Sequence, residues 1–169
     1  MTISMSQSSV DVFVPFLGNL SSLLDHAARY AEARKIDPDI LLKMRLSPTM
    51  YDLTQQVREA NRHAVVACAL LADSPADVFP GASDIAGLQA NITSAIDFVT
   101  RLPREAIDAA AERDVVFTFK NGNTRTFTGR SLLLTFSLPQ FFFHVTTAYD
   151  ILRHAGVDLA KKDFLGPRR

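Results

Sequence analysis

LPQFFFHVTTAYDILRHAG, residues 138–156, is the segment that most clearly indicates the fold of this chain. Its inward positions recur every three or four residues, which is the spacing of one helix face: Phe141, His144, Ala148, Ile151 and Ala155. Gly156 stands where a left-handed C-terminal cap is expected. The pattern predicts a long helix over about residues 131–154, with Pro139 as a kink or a restart.

Three earlier segments show the same helical spacing. Two cover about residues 10–34 and 49–72, and the third begins near Ser83 and ends at Leu102–Pro103. The second helix is apolar almost all round in residues 64–72, which indicates burial on every side. Away from its apolar stripe, its first half is polar: Asp52, Gln55, Gln56, Arg58, Glu59 and Arg62. We therefore predict a mainly α protein, a single four-helix-bundle domain over residues 1–169.

Residues 115–129 change from helical spacing to alternation and predict a β-hairpin between the third and fourth helices. Asn121-Gly122 is a strong hairpin signal because both positions of a two-residue turn need positive φ. Such a turn pairs Phe117 with Thr126. A two-stranded hairpin is marginal alone, so we expect it to lean on the helices or on another subunit.

The bulk composition excludes some classes of protein. Eighteen basic and 18 acidic residues give a net charge of zero, and no basic track indicates nucleic-acid binding. No apolar stretch is long enough for a membrane span, and the N-terminus has no signal-peptide pattern. Cys68 is the only cysteine, so no intramolecular disulfide can form. We expect a cytoplasmic protein that binds neither nucleic acid nor membrane.

Three histidines at apolar helix positions are candidate metal ligands: His26, His63 and His144. The alternative is that each is an ordinary core histidine, because no HxxxH or HExxH pair is present. Thr147 and Tyr149, next to His144, are candidate hydroxyl contacts in a pocket for a small molecule. Cys68, among apolar neighbours, is expected to behave as a small hydrophobic side chain rather than as a nucleophile.

Phe141, Phe142 and Phe143 spread over about 200° of the helix surface, so they cannot all face one core. One ring must meet another element, and either the tail over residues 157–169 or a second subunit can supply it. The tail has apolar anchors and is expected to pack on the bundle. Exposed apolar surface of this kind usually marks an interface, so we expect a homodimer.

Two motifs resemble a known family, domain of unknown function 1993. They are LPQFFFHVTTAYDILRHAGVDLAKKDFLG at the C-terminus and RLSPTMYDLTQQV, residues 45–57. The resemblance implies a DinB/YfiT-like four-helix bundle. Members of that superfamily, among them thiol transferases and maleylpyruvate isomerase relatives, bind a divalent metal through three histidines. His63 matches the ligand on the second helix and His144 the first of a later pair, whereas Ala148 occupies the third position.

Two functions follow from this resemblance. In the first, the chain has lost the metal triad, because Ala148 cannot coordinate an ion, and acts as a dimeric binding or interaction module. In the second, it is a divalent-metal-dependent transferase or hydrolase-like enzyme that uses His63 and His144 with zinc, nickel or manganese and a third ligand not yet identified.

Overall fold

Four long helices form the body of the protein in the computed structural model, which describes residues 3–167. They are α1 (Met5–Arg34), α3 (Leu53–Leu71), α4 (Ile85–Arg101) and α7 (Leu138–His154). The short helices are α2 (Pro38–Leu42), α5 (Arg104–Ala109), α6 (Gly129–Ser131) and α8 (Lys161–Leu165). Strands β1 (Asp114–Thr118) and β2 (Thr124–Thr128) lie between α4 and α7. The predicted mainly α bundle with an inserted hairpin is confirmed.

The long helices begin and end at residues that satisfy their terminal backbone groups. α3 begins after Asp52, whose side chain accepts from the Gln55 amide while the Gln55 side chain accepts from the Asp52 amide. α4 begins after Asp84 rather than Ser83. Gly156 has φ of 90° and ends α7 as predicted, because a left-handed residue lets the following amide bond back to the helix.

The core lies where the four long helices meet. α3 packs against α4 and α7, and α1 packs against the same two helices from the other side. The predicted stripe of α1 is fully buried at its centre: Phe13, Leu17, Leu20, Leu23, Leu24, Ala27 and Ala31. The rings of Phe13 and Phe141 meet edge to face at 4.9 Å, which joins α1 to α7.

The hairpin has a different register from the predicted one. Val115 pairs with Phe127 and Phe117 with Arg125, because the turn has three residues instead of two. The Gly122 amide bonds to the Phe119 carbonyl, and Gly122 takes φ of 84°, as in a type I turn with a bulge. The shift places Val115, Phe117 and Phe127 on one face, which packs against α3 and against Leu132 and Phe136, just before α7.

A π-helical segment, Leu132–Ser137, joins α6 to α7. The Leu138 amide bonds to the Leu133 carbonyl, five residues back. Pro139 has no amide hydrogen and its ring would crowd the carbonyl four residues earlier, so the wider turn relieves that conflict. The sequence predicts a kink or a restart at Pro139, and the structure accommodates the proline by this wider turn in a continuous helix.

The C-terminal residues pack on the bundle. Val157 and Leu159 are buried, and Asn19 Nδ2 of α1 donates to the Phe164 carbonyl at 3.1 Å. Phe142 meets Phe16 of α1 at 4.9 Å. Phe143 is 54% exposed, so the chain itself does not cover the third ring of the Phe run.

Among residues 3–167, no helix combines the length and the apolar character needed to cross a membrane.

Candidate metal centre

Glu59, His63 and His144 converge where α3 meets α7. One ligand atom from each residue lies within 4.8 Å of the other two, and all three side chains are buried. Glu59 and His63 are four residues apart on α3, so they project from the same face of the helix. α7 supplies His144 from its inward stripe. The bundle therefore brings together two imidazoles and one carboxylate from two facing helices.

The two imidazoles lie inside a stack of aromatic rings. The His63 and His144 rings are nearly parallel with centroids 5.7 Å apart. The Tyr51 ring is nearly parallel to His144 with centroids 6.4 Å apart, and the Phe117 ring of the hairpin is nearly parallel to His63 with centroids 6.4 Å apart. Phe136 of the π-helical segment meets His63 edge to face at 5.7 Å. These rings surround both imidazoles, and His63 and His144 are only 5% and 6% exposed.

Gln56 orients the His144 ring. The Gln56 Nε2 amide donates to the Tyr51 carbonyl at 3.1 Å, so its Oε1 points the other way, 2.7 Å from His144 Nδ1. An amide oxygen can only accept, so Nδ1 carries the hydrogen. This leaves the lone pair of His144 on Nε2. Metal-bound histidines are usually held in this way, by a hydrogen bond from the second ring nitrogen.

His63 has a buried nitrogen with no partner. His63 is only 5% exposed, and its Nδ1 makes no hydrogen bond within residues 3–167. Burial, together with the nearby His144, Arg62 and Lys120, lowers the pKa of His63 to about 3. His63 is therefore neutral at pH 7. A buried polar atom without a partner is costly, and a ligand for it removes that cost.

His144 is neutral at pH 7 for similar reasons. Burial is the main cause that lowers its pKa, and Lys120 adds to the effect, whereas the Glu59 carboxylate opposes it. Neutral imidazole is the form that binds metal ions. The centre therefore offers two uncharged nitrogen donors at neutral pH without a proton to displace.

The Glu59 carboxylate is paired with two cations. Lys120, in the hairpin turn, forms a short ion pair with Glu59 Oε1, and Arg62 Nη1 lies 3.9 Å from Oε2. The Lys120 ammonium also lies 5.6 Å from the centre of the Tyr51 ring. A buried carboxylate needs such compensation. Lys120 therefore places a positive charge beside the two histidines.

The three side chains fit a divalent transition metal. Two histidines and a carboxylate are a known donor set for zinc and related ions, and they leave coordination positions open. Ligand atoms lie about 2.0–2.2 Å from such an ion. Donor atoms already within 4.8 Å of one another need only small side-chain rotations to reach that distance. The unpartnered Nδ1 of His63 supports the fit independently.

The other candidate residues lie away from this centre. His26 is in a groove between α1 and the C-terminal residues, which Lys162 and Asp163 also line. Tyr149 packs on Phe164 at 5.7 Å, and Thr147 is buried in α7. The pocket roles of Tyr149 and Thr147 stay predictions. Cys68 is fully buried in the core, and burial raises its pKa to about 12, as expected of an unreactive thiol.

Three residues of this centre are not predicted from the sequence: Glu59, Gln56 and Lys120. Gln56 and Glu59 were assigned to the polar side of the second helix, but they are 1% and 8% exposed because α7 and the hairpin cover them. The available signal was a glutamate four residues before a histidine on one helix, which is the same spacing as in HxxxH. Ala148 is buried one turn from His144 and has no donor atom, so the third candidate ligand is Glu59 of α3.

Comparisons with known proteins agree with this fold. No curated protein matches the chain. The crystal structure of a DinB family member protein from Shewanella denitrificans matches with a TM-score of 0.88 and 31% sequence identity, over 96% of this chain and 92% of that chain. Residues 5–165 match the family described as domain of unknown function (DUF1993). The chain therefore belongs to the DUF1993 family, and its bundle is similar to that of the DinB family.

Proposed function

We propose that this protein is a divalent-metal-dependent enzyme of the DinB type, acting in group transfer or hydrolysis. The observation that carries the proposal is the convergence of Glu59, His63 and His144 within 4.8 Å, with one histidine nitrogen lacking a partner. This differs from the expectation that the triad has been lost, which rested on Ala148 alone. Zinc, nickel and manganese are the candidate ions for this donor set.

The chemistry that such an ion supplies is Lewis-acid activation of water or of a substrate carbonyl. The residues of the chain prepare the site for it. Gln56 holds the His144 ring with Nε2 free, and burial keeps both imidazoles neutral. Lys120 compensates the Glu59 charge and would compete with a bound ion for that carboxylate.

Metal content tests the proposal. The protein is purified without an affinity tag, stripped with a chelator, loaded separately with zinc, nickel or manganese, and dialysed before elemental analysis. We expect about one equivalent of at least one metal, and a large loss in Glu59→Gln, His63→Gln and His144→Gln. His26→Gln is the matched control and retains the metal. Less than about a tenth of an equivalent of every metal in the unchanged protein contradicts the proposal.

The homodimeric interaction module is the second candidate function. Three large apolar side chains support it, because Phe143, Val116 and Leu134 are 54%, 52% and 48% exposed. Light scattering across a range of concentrations measures the oligomeric state, and Phe143→Ser is expected to weaken the dimer. A monomer at every concentration contradicts this candidate and leaves the metal proposal untouched.

We propose a cytoplasmic location because the single cysteine is a free thiol. Cys68 is free and buried, and a reducing compartment suits a chain with a free thiol. Cell fractionation with an antibody to the native protein tests it, and recovery in a secreted fraction contradicts it.

A further inference from the structure

A cleft of about 390 Å³ lies along α3, next to the metal centre but not part of it. Side chains of α3 form one wall, and the loop over residues 76–81 forms another. Glu59 lines the cleft as well as belonging to the metal centre. A molecule in the cleft therefore lies beside the metal ligands without displacing either histidine.

Two side-chain hydrogen bonds hold the loop in place. Arg58 Nη2 donates to the Ala82 carbonyl at 2.5 Å, and Asn91 Nδ2 of α4 donates to the Pro80 carbonyl at 2.9 Å. Both bonds tie the C-terminal end of the loop to the bundle, one to α3 and the other to α4. The cleft is therefore a preformed site, which lowers the entropic cost of binding.

Arg58 gives the cleft an uncompensated positive charge. The other charged side chains that line it have partners, since Arg62 lies 3.9 Å from Glu59 and Asp77 lies 2.5 Å from Arg101. No carboxylate within residues 3–167 forms an ion pair with Arg58. The guanidinium has five N–H donors, and the Ala82 carbonyl occupies only one of them. An anionic group on a ligand can therefore pair with this guanidinium.

Asn61 supplies an unused acceptor in the same cleft. The residue is 3% exposed, and its Oδ1 makes no hydrogen bond within the described chain. Asn61 follows Arg58 by three residues on α3, so the two side chains are neighbours on the helix surface. After a rotation of the Asn61 amide brings Oδ1 to the cleft surface, a ligand that places an O–H or N–H donor a few bonds from its anionic group satisfies both residues.

The remaining lining is largely apolar. Val65 and Val66 of α3 and Phe79 of the loop line the cleft. We propose that this cleft binds a small monoanionic organic acid that carries a hydroxyl or amide N–H near its carboxylate and an apolar side group. The carboxylate pairs with Arg58, the donor bonds to Asn61 Oδ1, and the apolar group packs on the valines. Its role as a substrate site rests on the proposed metal function, whereas the binding does not require metal.

Binding is tested on chelator-treated, metal-free protein, so its failure is separate from failure of the metal proposal. The probe is 2-hydroxy-4-methylpentanoate, titrated into ¹⁵N-labelled protein and followed by the amide signals of Asn61 and Val65. Two matched probes each lack one feature: 4-methylpentanoate has no hydroxyl, and the 2-hydroxy amide has no charge. We expect saturable shifts at the cleft with the first probe and weaker binding with each of the others.

Arg58→Gln is expected to weaken binding of the first probe by about tenfold or more, because a charged hydrogen bond is lost. Arg29→Gln, on the exposed side of α1, is the matched control and leaves binding unchanged. Arg58→Lys retains part of the affinity and shows that the charge matters. No saturable shift at cleft residues, or equal affinity in Arg58→Gln and the unchanged protein, overturns the proposal.

Discussion

Acidification of the metal-free protein is predicted to destabilise it through His63. The pKa of this histidine is about 3 in the folded protein and has an ordinary value of 6.5 in the unfolded chain. Between these values the unfolded chain binds a proton that the folded protein does not, so the free energy of unfolding falls as pH decreases. From pH 7 to pH 5, the loss from His63 alone is about 2 kcal/mol.

Urea unfolding at pH 7, 6 and 5, in the presence of a chelator, measures this loss. His63→Gln removes the titrating group, so the variant is expected to lose about 2 kcal/mol less than the unchanged protein over the same range. His144 contributes in the same direction and leaves some dependence in the variant. His154→Gln, at an exposed position, is the control and keeps the full loss. An equal loss in His63→Gln and the unchanged protein refutes the reasoning.

Three further predictions follow from the same contacts. Lys120→Met removes the cation that pairs with Glu59, so metal binding measured by calorimetry is expected to become tighter; unchanged or weaker binding contradicts competition by Lys120. Phe141→Ala creates a cavity in the core and is expected to cost about 3–5 kcal/mol of unfolding free energy, whereas Phe143→Ala costs less than about 0.5 kcal/mol because that ring is exposed; similar losses in a denaturant titration contradict the packing described. Cys68 is buried with its pKa raised to about 12, so a thiol-reactive dye is expected to label it only on unfolding, and rapid labelling of the native protein contradicts this.

The helices are predictable from the sequence because the signals of a helix, its apolar spacing and its caps, are local. The apolar stripe of α1 and the cap at Gly156 depend on residues within a few positions of one another, and both are as expected. The predicted hairpin register is wrong because Asn121-Gly122 fits both a two-residue and a three-residue turn. Only the packing of Val115, Phe117 and Phe127 against α3 favours the three-residue turn, and that packing is not local.

Only the two histidines of the candidate metal centre are predictable from the sequence. His63 and His144 stand in apolar stripes and are identified by position. Glu59 looks like a solvent-facing residue, because carboxylates are rarely buried without a partner. Its partner, Lys120, lies 61 residues away in the hairpin turn, and no helical spacing connects the two. The cleft is unpredictable for the same reason, since its second wall is a loop without periodic sequence.

Anomalous diffraction from zinc-loaded crystals tests the central claim most directly. The account predicts a strong peak about 2.0–2.2 Å from donor atoms of Glu59, His63 and His144, with Lys120 moved away from the carboxylate. Glu59→Gln crystals are expected to show a weaker peak or none. In fully loaded crystals of the unchanged protein, the absence of a peak between these three side chains, or peaks only at surface histidines such as His154, contradicts the account.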